Sequence, residues 1–251
     1  MQLEIAALSK PGGRTINEDA CGVWSSQDAC FCVLSDGAGG HGGGDVASKL
    51  TVSRVLDWFR QRPECTSEAV EAALTAANVA IVQTQSSQLR LADMRATGVI
   101  LSVDTTHGHA IWGHLGDTRL YCFREGKVAV QTRDHSVVQS MVDAGYIKPD
   151  QMRGVPQRGR LLGALGDAQN FEPCIEQRKF PLRHGDVFLL CTDGVWEYVE
   201  EAEMEQALSE CKSGEEWLRR IEAKVLEKGK VGQDNYSALV VWCRDLAEQM
   251  S

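Results

Sequence analysis

The chain has 251 residues and a mass of 27.5 kDa, and 43% of its residues are apolar and 24% charged. This composition is ordinary for a soluble globular protein and argues against a disordered chain. The formal charge of −9 disfavours binding to nucleic acid or to an anionic membrane surface. No apolar run approaches the roughly 18–20 residues that span a bilayer. Glu4 lies where a secretory signal would be basic, so we expect a cytoplasmic protein.

The nine cysteines are odd in number and scattered, without a Cys-x-x-Cys pair. A disulfide framework needs denser cysteine in a shorter chain, and a zinc site needs paired spacing. Several cysteines lie inside apolar runs, as in Cys30-Phe31-Cys32. We therefore expect reduced cysteines that pack as small apolar residues.

Short runs of β-branched, aromatic and aliphatic residues, bounded by Gly, Asp or Asn, predict eight strands. They cover residues 3–8, 20–24, 30–34, 99–103, 109–115, 120–123, 187–191 and 237–243. Apolar residues at a spacing of three to four predict helices over about 46–59 and 70–81. Ser213-x-x-Glu216 predicts the start of a third helix, and Gly229 its end. Because the strands come in groups, we expect an α+β fold of antiparallel sheets with helices packed outside.

Acidic residues lie at the boundaries of these strands. The acids concerned are Glu18, Asp19, Asp36, Asp117, Asp193 and Asp234. In antiparallel sheets the end of one strand lies beside the start of its neighbour, so these acids can gather at one edge of the fold. Taken singly, each is equally well read as a turn residue, since Asp-Gly, Gly-Asp and Asp-Asn all favour turns.

A gathering of carboxylates implies divalent cations. Two carboxylates about 4 Å apart repel each other by roughly 4 kcal/mol at an effective dielectric constant of 20. An oxygen-only ligand set favours Mg²⁺ or Mn²⁺ over zinc, and Gly37 after Asp36 lets a backbone carbonyl approach a metal. Two such cations suit the attack of water on phosphorus. Arg14 could bind the phosphate through its planar guanidinium, or could be a solvated loop arginine.

Seven motifs occur in order along nearly the whole chain: Arg14-x-x-Asn17-Glu18-Asp19, Asp36-Gly-Ala-Gly-Gly-His41, Ala96-Thr97-Gly98, Gly113-His-Leu-Gly-Asp-Thr-Arg119, Thr132-Arg-Asp-His-Ser136, Leu189-Leu-Cys-Thr-Asp-Gly194 and Gln233-Asp234-Asn235. Together they resemble the motifs of the metal-dependent serine/threonine protein phosphatases of the PP2C (PPM) type, in their short bacterial form. The resemblance implies an α+β fold in which a β-sandwich of two antiparallel sheets is flanked by helices on both outer faces. It implies one domain over residues 1–251, with a flap at about 145–174.

The resemblance also implies the site and its cofactors, Mn²⁺ or Mg²⁺. Asp36, Asp193 and Asp234 would bind a first metal, and Asp36 and the carbonyl of Gly37 a second. Glu18 and Asp19 would support the second metal, largely through water. Asp117 and Asp193 would hold a third, weaker metal, and Arg14 would bind the phosphate. Three flap arginines could meet an acidic phosphopeptide or could simply be solvated: Arg153, Arg158 and Arg160.

Two departures from the family pattern leave roles open. Ala38 stands where animal-type members carry a histidine proposed as the general acid, so that acid stays unassigned. His41 lies nearby and could simply hold the glycine loop. His114 replaces an asparagine that is common in the family, and we expect it to be a satisfied strand residue.

The expected activity is hydrolysis of phosphoserine and phosphothreonine on proteins by a metal-activated water, opposing a serine/threonine kinase. The expected partners are phosphorylated proteins, and we expect a monomer. A phosphocysteine mechanism is disfavoured because Cys191, after five residues, is followed by Glu197 instead of arginine. The alternative is a pseudo-phosphatase that acts as a regulatory binding module. That alternative predicts a lost metal ligand, yet all four aspartates of the metal sites are present.

Overall fold

The structure is a computed structural model that describes residues 1–38 and 42–244. His41, in the glycine loop, and the last residues of the predicted domain, 245–251, lie outside the described residues. The strands are β1 Gln2–Lys10, β2 Ala20–Ser25, β3 Ala29–Ser35, β4 Gly37–Ala38, β5 Arg95–Ala96, β6 Gly98–Asp104, β7 His109–Leu115, β8 Arg119–Arg124, β9 Lys127–Gln131, β10 Cys174–Ile175, β11 Phe180–Pro181, β12 Val187–Cys191 and β13 Tyr236–Arg244. The α-helices are α1 Gly44–Gln61, α2 Ser67–Ser87, α3 Val137–Asp143, α4 Asp193–Trp196, α5 Glu201–Ser209 and α6 Gly214–Lys228.

Two antiparallel sheets pack face to face. One has the strand order β1-β13-β12-β8-β9, and the other has the order β10-β7-β6-β3-β2, with β11 also paired to β7. The core between them joins Leu34 and Leu101 of the second sheet to Phe188, Leu190 and Val241 of the first. Successive residues of a strand point to opposite faces, so the neighbours of Phe188 and Leu190 face the outer layer instead.

Helices cover both outer faces of the sandwich. On the first sheet, α6 buries Trp217, Ile221 and Val225 at a spacing of about four residues. On the second sheet, α1 and α2 pack around Phe31, whose ring stacks on Phe59 with centroids 4.0 Å apart. The predicted α+β sandwich with helices on both outer faces is therefore confirmed.

All eight predicted strands form, and two of them, His109–Leu115 and Val187–Cys191, have the predicted bounds. Strand β9 was not predicted. It follows a tight turn in which Glu125 and Gly126 both have positive φ, of 54° and 74°. Turns of this kind usually carry Asn or Asp before the glycine, so Glu-Gly gave no hairpin signal.

The third predicted helix begins and ends as expected, but for partly different reasons. The Ser213 hydroxyl accepts the N–H of Glu216 at 3.2 Å, while the Glu216 carboxylate accepts the N–H of Lys212 and so does not close the predicted capping box. Gly229 has an ordinary φ of −60°. A Cβ there would lie 2.2 Å from the side-chain oxygen of Gln233, so a larger residue would require that side chain to move.

All nine cysteines are free thiols, and seven of them are buried. Within the described residues, no helix combines the length and the apolar character that crossing a bilayer requires.

Candidate metal centre

Antiparallel pairing brings several strand boundaries to one edge of the sandwich. Ser35 at the end of β3 pairs with Ala20 at the start of β2. Cys191 at the end of β12 pairs with Ala238 on β13 and with Arg119 at the start of β8. Strand β13 begins at Tyr236, and each of the six acids singled out in the sequence lies within two residues of an end of β2, β3, β8, β12 or β13. The fold therefore places all six at the same edge.

Asp36 and Asp193 follow the ends of β3 and β12, and both are half-buried. Burial, and then the charge of Asp193, raise the pKa of Asp36 well above its usual value. Burial, and then the charges of Asp117 and Glu197, raise the pKa of Asp193 in the same direction. Carboxylates whose negative charges act on one another in this way favour binding either a proton or a cation.

Asp19 is 5% exposed, and only one of its two carboxylate oxygens accepts a hydrogen bond from the described residues. The Thr192 hydroxyl donates to its Oδ2 at 3.1 Å, while its buried Oδ1 accepts no hydrogen bond from the described residues. Burial raises the pKa of Asp19 to about 6. An unpartnered buried oxygen is uncommon in native proteins, and this one is available to a water or an ion.

Gly37 and Gly44 let two backbone segments meet beside Glu18. The N–H of Gly37 donates to the Glu18 carbonyl at 3.1 Å. A Cβ at Gly37 would lie 2.3 Å from the Gly44 carbonyl oxygen, so only glycine fits. Burial, and then the charge of Asp45, raise the pKa of Glu18.

Arg14 lies against Asp234. Its guanidinium donates to Oδ2 of Asp234 at 2.9 Å, and the two side chains are 54% and 49% exposed. The N–H of Asn235 donates to the other oxygen of Asp234 at 2.9 Å. Gly12, with φ of +60°, has no room for a Cβ, which would lie 2.1 Å from the Asp234 carbonyl oxygen. The loop that carries Arg14 is therefore clamped against the segment that carries Asp234.

Asp117 is buried in the turn before β8 and is 5% exposed. Burial raises its pKa to about 7; the charge of Asp134 acts in the same direction and that of Arg119 opposes it. The indole N–H of Trp196 donates to the Asp117 carbonyl at 2.9 Å. This bond ties the turn to α4, the helix that begins at Asp193.

The sequence motifs gave no role to Arg119 and Asp134, which form a buried ion pair. Two guanidinium nitrogens donate to the two oxygens of Asp134 at 2.8 and 2.7 Å. The guanidinium also lies 3.7 Å from the centre of the Trp196 ring and donates to the Tyr121 hydroxyl at 3.0 Å. Buried charges need such partners, so this pair braces the wall beside Asp117.

His114 is only partly the satisfied strand residue that we expected. It lies on β7, with Nε2 2.8 Å from the Arg133 carbonyl oxygen, but its buried Nδ1 has no partner within the described residues. Its ring stacks on His135 with centroids 4.9 Å apart. Burial lowers the pKa of His114 to about 4, so the ring is neutral near pH 7.

The segment at 145–174 lies beside the acidic edge. The backbones of Leu165 and Ala96 exchange two hydrogen bonds of 3.1 and 2.7 Å, and Ala96 in turn pairs with Gly37. Leu161 forms a second bridge, with Ser136. This segment is therefore attached to the strand that follows Asp36.

The chemistry of these residues fits hard divalent cations. Among the described residues, no three His, Cys, Asp or Glu side chains already converge as a ready-made metal site, and Asp234 is held toward Arg14. The donors at the edge are nevertheless carboxylates that repel one another, with a spare buried oxygen on Asp19. Such a donor set suits Mg²⁺ or Mn²⁺.

A family model described as Protein phosphatase 2C matches residues 12–233. The serine/threonine phosphatase stp of Listeria innocua is 30% identical over 231 residues, which cover 90% of this chain and 89% of that protein. The crystal structure of the Mycobacterium tuberculosis serine/threonine phosphatase PstP/Ppp has a TM-score of 0.84 at 30% identity, over 97% of this chain and 99% of that one. A structure of the PstP catalytic domain in complex with two manganese ions has a TM-score of 0.81 at 30% identity, over 97% and 99%. The family predicted from the sequence is confirmed: this chain belongs to the metal-dependent protein phosphatase 2C family.

Proposed function

We propose that this protein hydrolyses phosphoserine and phosphothreonine on proteins at a centre of two Mn²⁺ or Mg²⁺ ions. The observation that carries the proposal is the set of six acidic side chains that the strand ends place at one edge, where burial, and then the charges of Asp193, Asp19, Asp117 and Asp234, raise the pKa of Asp36. The relatives described above are serine/threonine phosphatases, and the PstP catalytic domain binds two manganese ions.

Asp36, Asp193 and Asp234 would hold the first cation, and Asp36 and the Gly37 carbonyl the second. Glu18 and Asp19 would support the second cation, largely through water. When bound, two such cations lower the pKa of a shared water molecule enough for it to attack phosphorus at neutral pH. A third, weaker cation would use Asp117 and Asp193.

The chain's own residues bind and orient the reactants. Arg14 has five N–H donors, so one bond to Asp234 leaves others for the phosphate oxygens. Oδ1 of Asp19 can accept a hydrogen bond from a water in the cleft. Cys191 lies near the site, but it is buried and burial raises its pKa, so its thiol is not a nucleophile. We infer that a water molecule attacks phosphorus directly and that no phosphoenzyme forms.

We further infer the setting in which the activity operates. The substrates would be the products of a serine/threonine kinase, and the chain would act as a monomeric, single-domain enzyme in the cytoplasm. Nine free thiols favour a reducing compartment. The pseudo-phosphatase alternative requires a lost ligand, whereas all four aspartates lie at one edge.

The test is hydrolysis of matched phosphoserine, phosphothreonine and phosphotyrosine peptides by the purified chain. We expect turnover of the first two with Mn²⁺ or Mg²⁺, loss of turnover with a chelator, and recovery when the cation is restored. Turnover that persists in the chelator, or a preference for phosphotyrosine, would contradict the proposal.

A further inference from the structure

The three flap arginines differ in what their guanidinium groups already bind. Arg153 is held by two of its three nitrogens: its Nε donates to the Trp196 carbonyl at 2.8 Å, and one amino group donates to both oxygens of Glu201 at 2.9 and 3.0 Å. Those bonds fasten the flap to α4 and α5. These contacts assign Arg153 a structural role, so it is a weaker candidate for meeting a substrate than Arg158 and Arg160.

Arg158 is held by one nitrogen only. Its Nε donates to Glu197 at 2.5 Å, its side chain is 40% exposed, and both terminal amino groups lack a partner among the described residues. The N–H of Glu197 donates to the Asp193 carbonyl at 2.9 Å. Glu197 thus orients a half-exposed guanidinium beside Asp193, with two amino groups free to donate.

Arg160 is exposed, and its guanidinium makes no hydrogen bond or ion pair within the part of the chain that the structure describes. Its backbone is nevertheless fixed, since its carbonyl accepts the N–H of Val137 at 2.9 Å and its N–H donates to Gln157 at 2.9 Å. Its side chain lines a cavity of about 390 Å³ together with Ala38 and Arg95. Ala38 is two residues after Asp36.

Residues 158–160 therefore cross the rim of the acidic edge, from the Asp193 side to the Asp36 side. The cavity also contains two acids, of which Asp167 is engaged by its own turn: it accepts the N–H groups of Gln169 and Asn170. The two acids and the two arginines of the lining balance in charge, and Arg95 already donates to the Gly166 carbonyl. The guanidinium of Arg160 and the two terminal amino groups of Arg158 are the donors at this rim that have no partner among the described residues, and they are available to an anion.

We propose that Arg158 and Arg160 bind anionic side chains next to the phosphorylated residue of a substrate, so that the enzyme prefers acidic phosphopeptides. The proposal rests on the proposed phosphatase function. Arginine suits this task because its planar fork of N–H donors matches a carboxylate or a phosphate. The anionic group is either a carboxylate or a second phosphate, and the two have the same chemistry for these donors.

The test compares kcat/KM for phosphoserine peptides whose flanking residues are glutamate, glutamine, lysine or a second phosphoserine. The wild-type enzyme should favour the glutamate and doubly phosphorylated peptides over the glutamine peptide, and disfavour the lysine peptide. Arg158→Gln and Arg160→Gln should each reduce that preference about two- to fivefold, the range of exposed ion pairs, and the double variant about tenfold. Added salt should reduce the wild-type preference in the same direction.

Hydrolysis of p-nitrophenyl phosphate separates this inference from the proposed function. The loss in each variant should be larger on the acidic peptide than on this small substrate, which has no flanking residues. Arg219→Gln is the matched control, because Arg219 is exposed on α6 and should leave both activities unchanged. Equal losses on all peptides, or no acidic preference in an enzyme that turns over p-nitrophenyl phosphate, would overturn the inference. Arg160→Gln breaks no hydrogen bond or ion pair within the described residues, so its result should not depend on a change in folding.

Discussion

The guanidinium of Arg14 donates a 2.9 Å hydrogen bond to Oδ2 of Asp234, a residue 220 positions away in the sequence. A predicted phosphate-binding residue and a predicted metal ligand therefore form an ion pair with each other. Both side chains are about half-exposed, so this ion pair contributes at most about 1 kcal/mol to stability. Its significance lies in the site, because Arg14 can act through the phosphate or through the orientation of Asp234.

Arg14→Ala should lower kcat/KM on the order of tenfold to a hundredfold, since losing a charge-assisted hydrogen bond typically costs about 1.5–3 kcal/mol. Binding of two Mn²⁺ ions should survive, because Arg14 is not a ligand. Steady-state kinetics and calorimetric Mn²⁺ titration of the variant measure the two effects. Arg14→Lys keeps the charge without the bidentate fork and should recover activity only in part. A loss of Mn²⁺ affinity in Arg14→Ala would show that Arg14 acts by orienting Asp234.

Asp117→Ala should separate metal binding from catalysis. The two tight ions keep Asp36, Asp193 and Asp234, whereas the third would lose one of its few protein ligands. Hydrolysis should fall more for a phosphoserine peptide than for p-nitrophenyl phosphate, whose leaving group needs little protonation. Mn²⁺ titration and kinetics on both substrates check this. Equal losses on both would reject a role in protonating the leaving group, and loss of the tight sites would place Asp117 in the binuclear core.

His114 should make the protein less stable in mild acid. Burial lowers its pKa from 6.5 to about 4, so between these values the unfolded chain takes up a proton that the folded chain does not. Its contribution to the free energy of unfolding therefore falls as the pH drops, by about 2 kcal/mol between pH 7 and pH 5. Urea unfolding of wild type and His114→Asn at both pH values isolates this effect. An identical pH dependence in the two proteins would contradict it.

The buried pair of Arg119 and Asp134 should stabilise the wall beside Asp117. Arg119 is 3% exposed and Asp134 6%, so removing Arg119 leaves the buried charge of Asp134 uncompensated, and removing Asp134 leaves Arg119 with only the longer ion pair to Glu201, at 3.7 Å. Arg119→Met and Asp134→Leu should each cost about 3–5 kcal/mol of unfolding free energy, and the double variant less than their sum. Denaturant unfolding of the three variants measures this. Additive losses would show that the two residues stabilise the fold independently.

The sequence predicts the strands because apolar runs such as 109–115 and 187–191 are bounded by turn residues. These turn residues lie next to the strand in the sequence, so the strand ends can be recognised without knowing the tertiary structure. Strand β9 escaped prediction because Glu125 adopts a positive φ that its residue type does not signal. The acids could be placed at one edge because antiparallel pairing fixes where strand ends meet. The position of these acids follows from the order and pairing of the strands, and no knowledge of side-chain packing is needed to predict it.

Side-chain partners could not be predicted in the same way. Arg119 begins a strand, and its residue type predicts an exposed side chain. The fold instead pairs it with Asp134, 15 positions away, and buries both. Arg153 and Arg158 look alike in sequence, and only the placement of α4 and α5 shows that the first is held by two nitrogens and the second by one. Such distinctions depend on contacts between distant segments, which residue spacing does not encode.

The clustered aspartates are proposed to hold the cations that make the chain a phosphatase. Asp36 tests this proposal most directly, because it is the one carboxylate proposed to bind both tight ions. A calorimetric Mn²⁺ titration of folded Asp36→Asn, with turnover of p-nitrophenyl phosphate followed on the same sample, should show loss of both tight sites and a fall in kcat of at least about a hundredfold. Binding of two Mn²⁺ ions with near-normal turnover in Asp36→Asn would contradict the account.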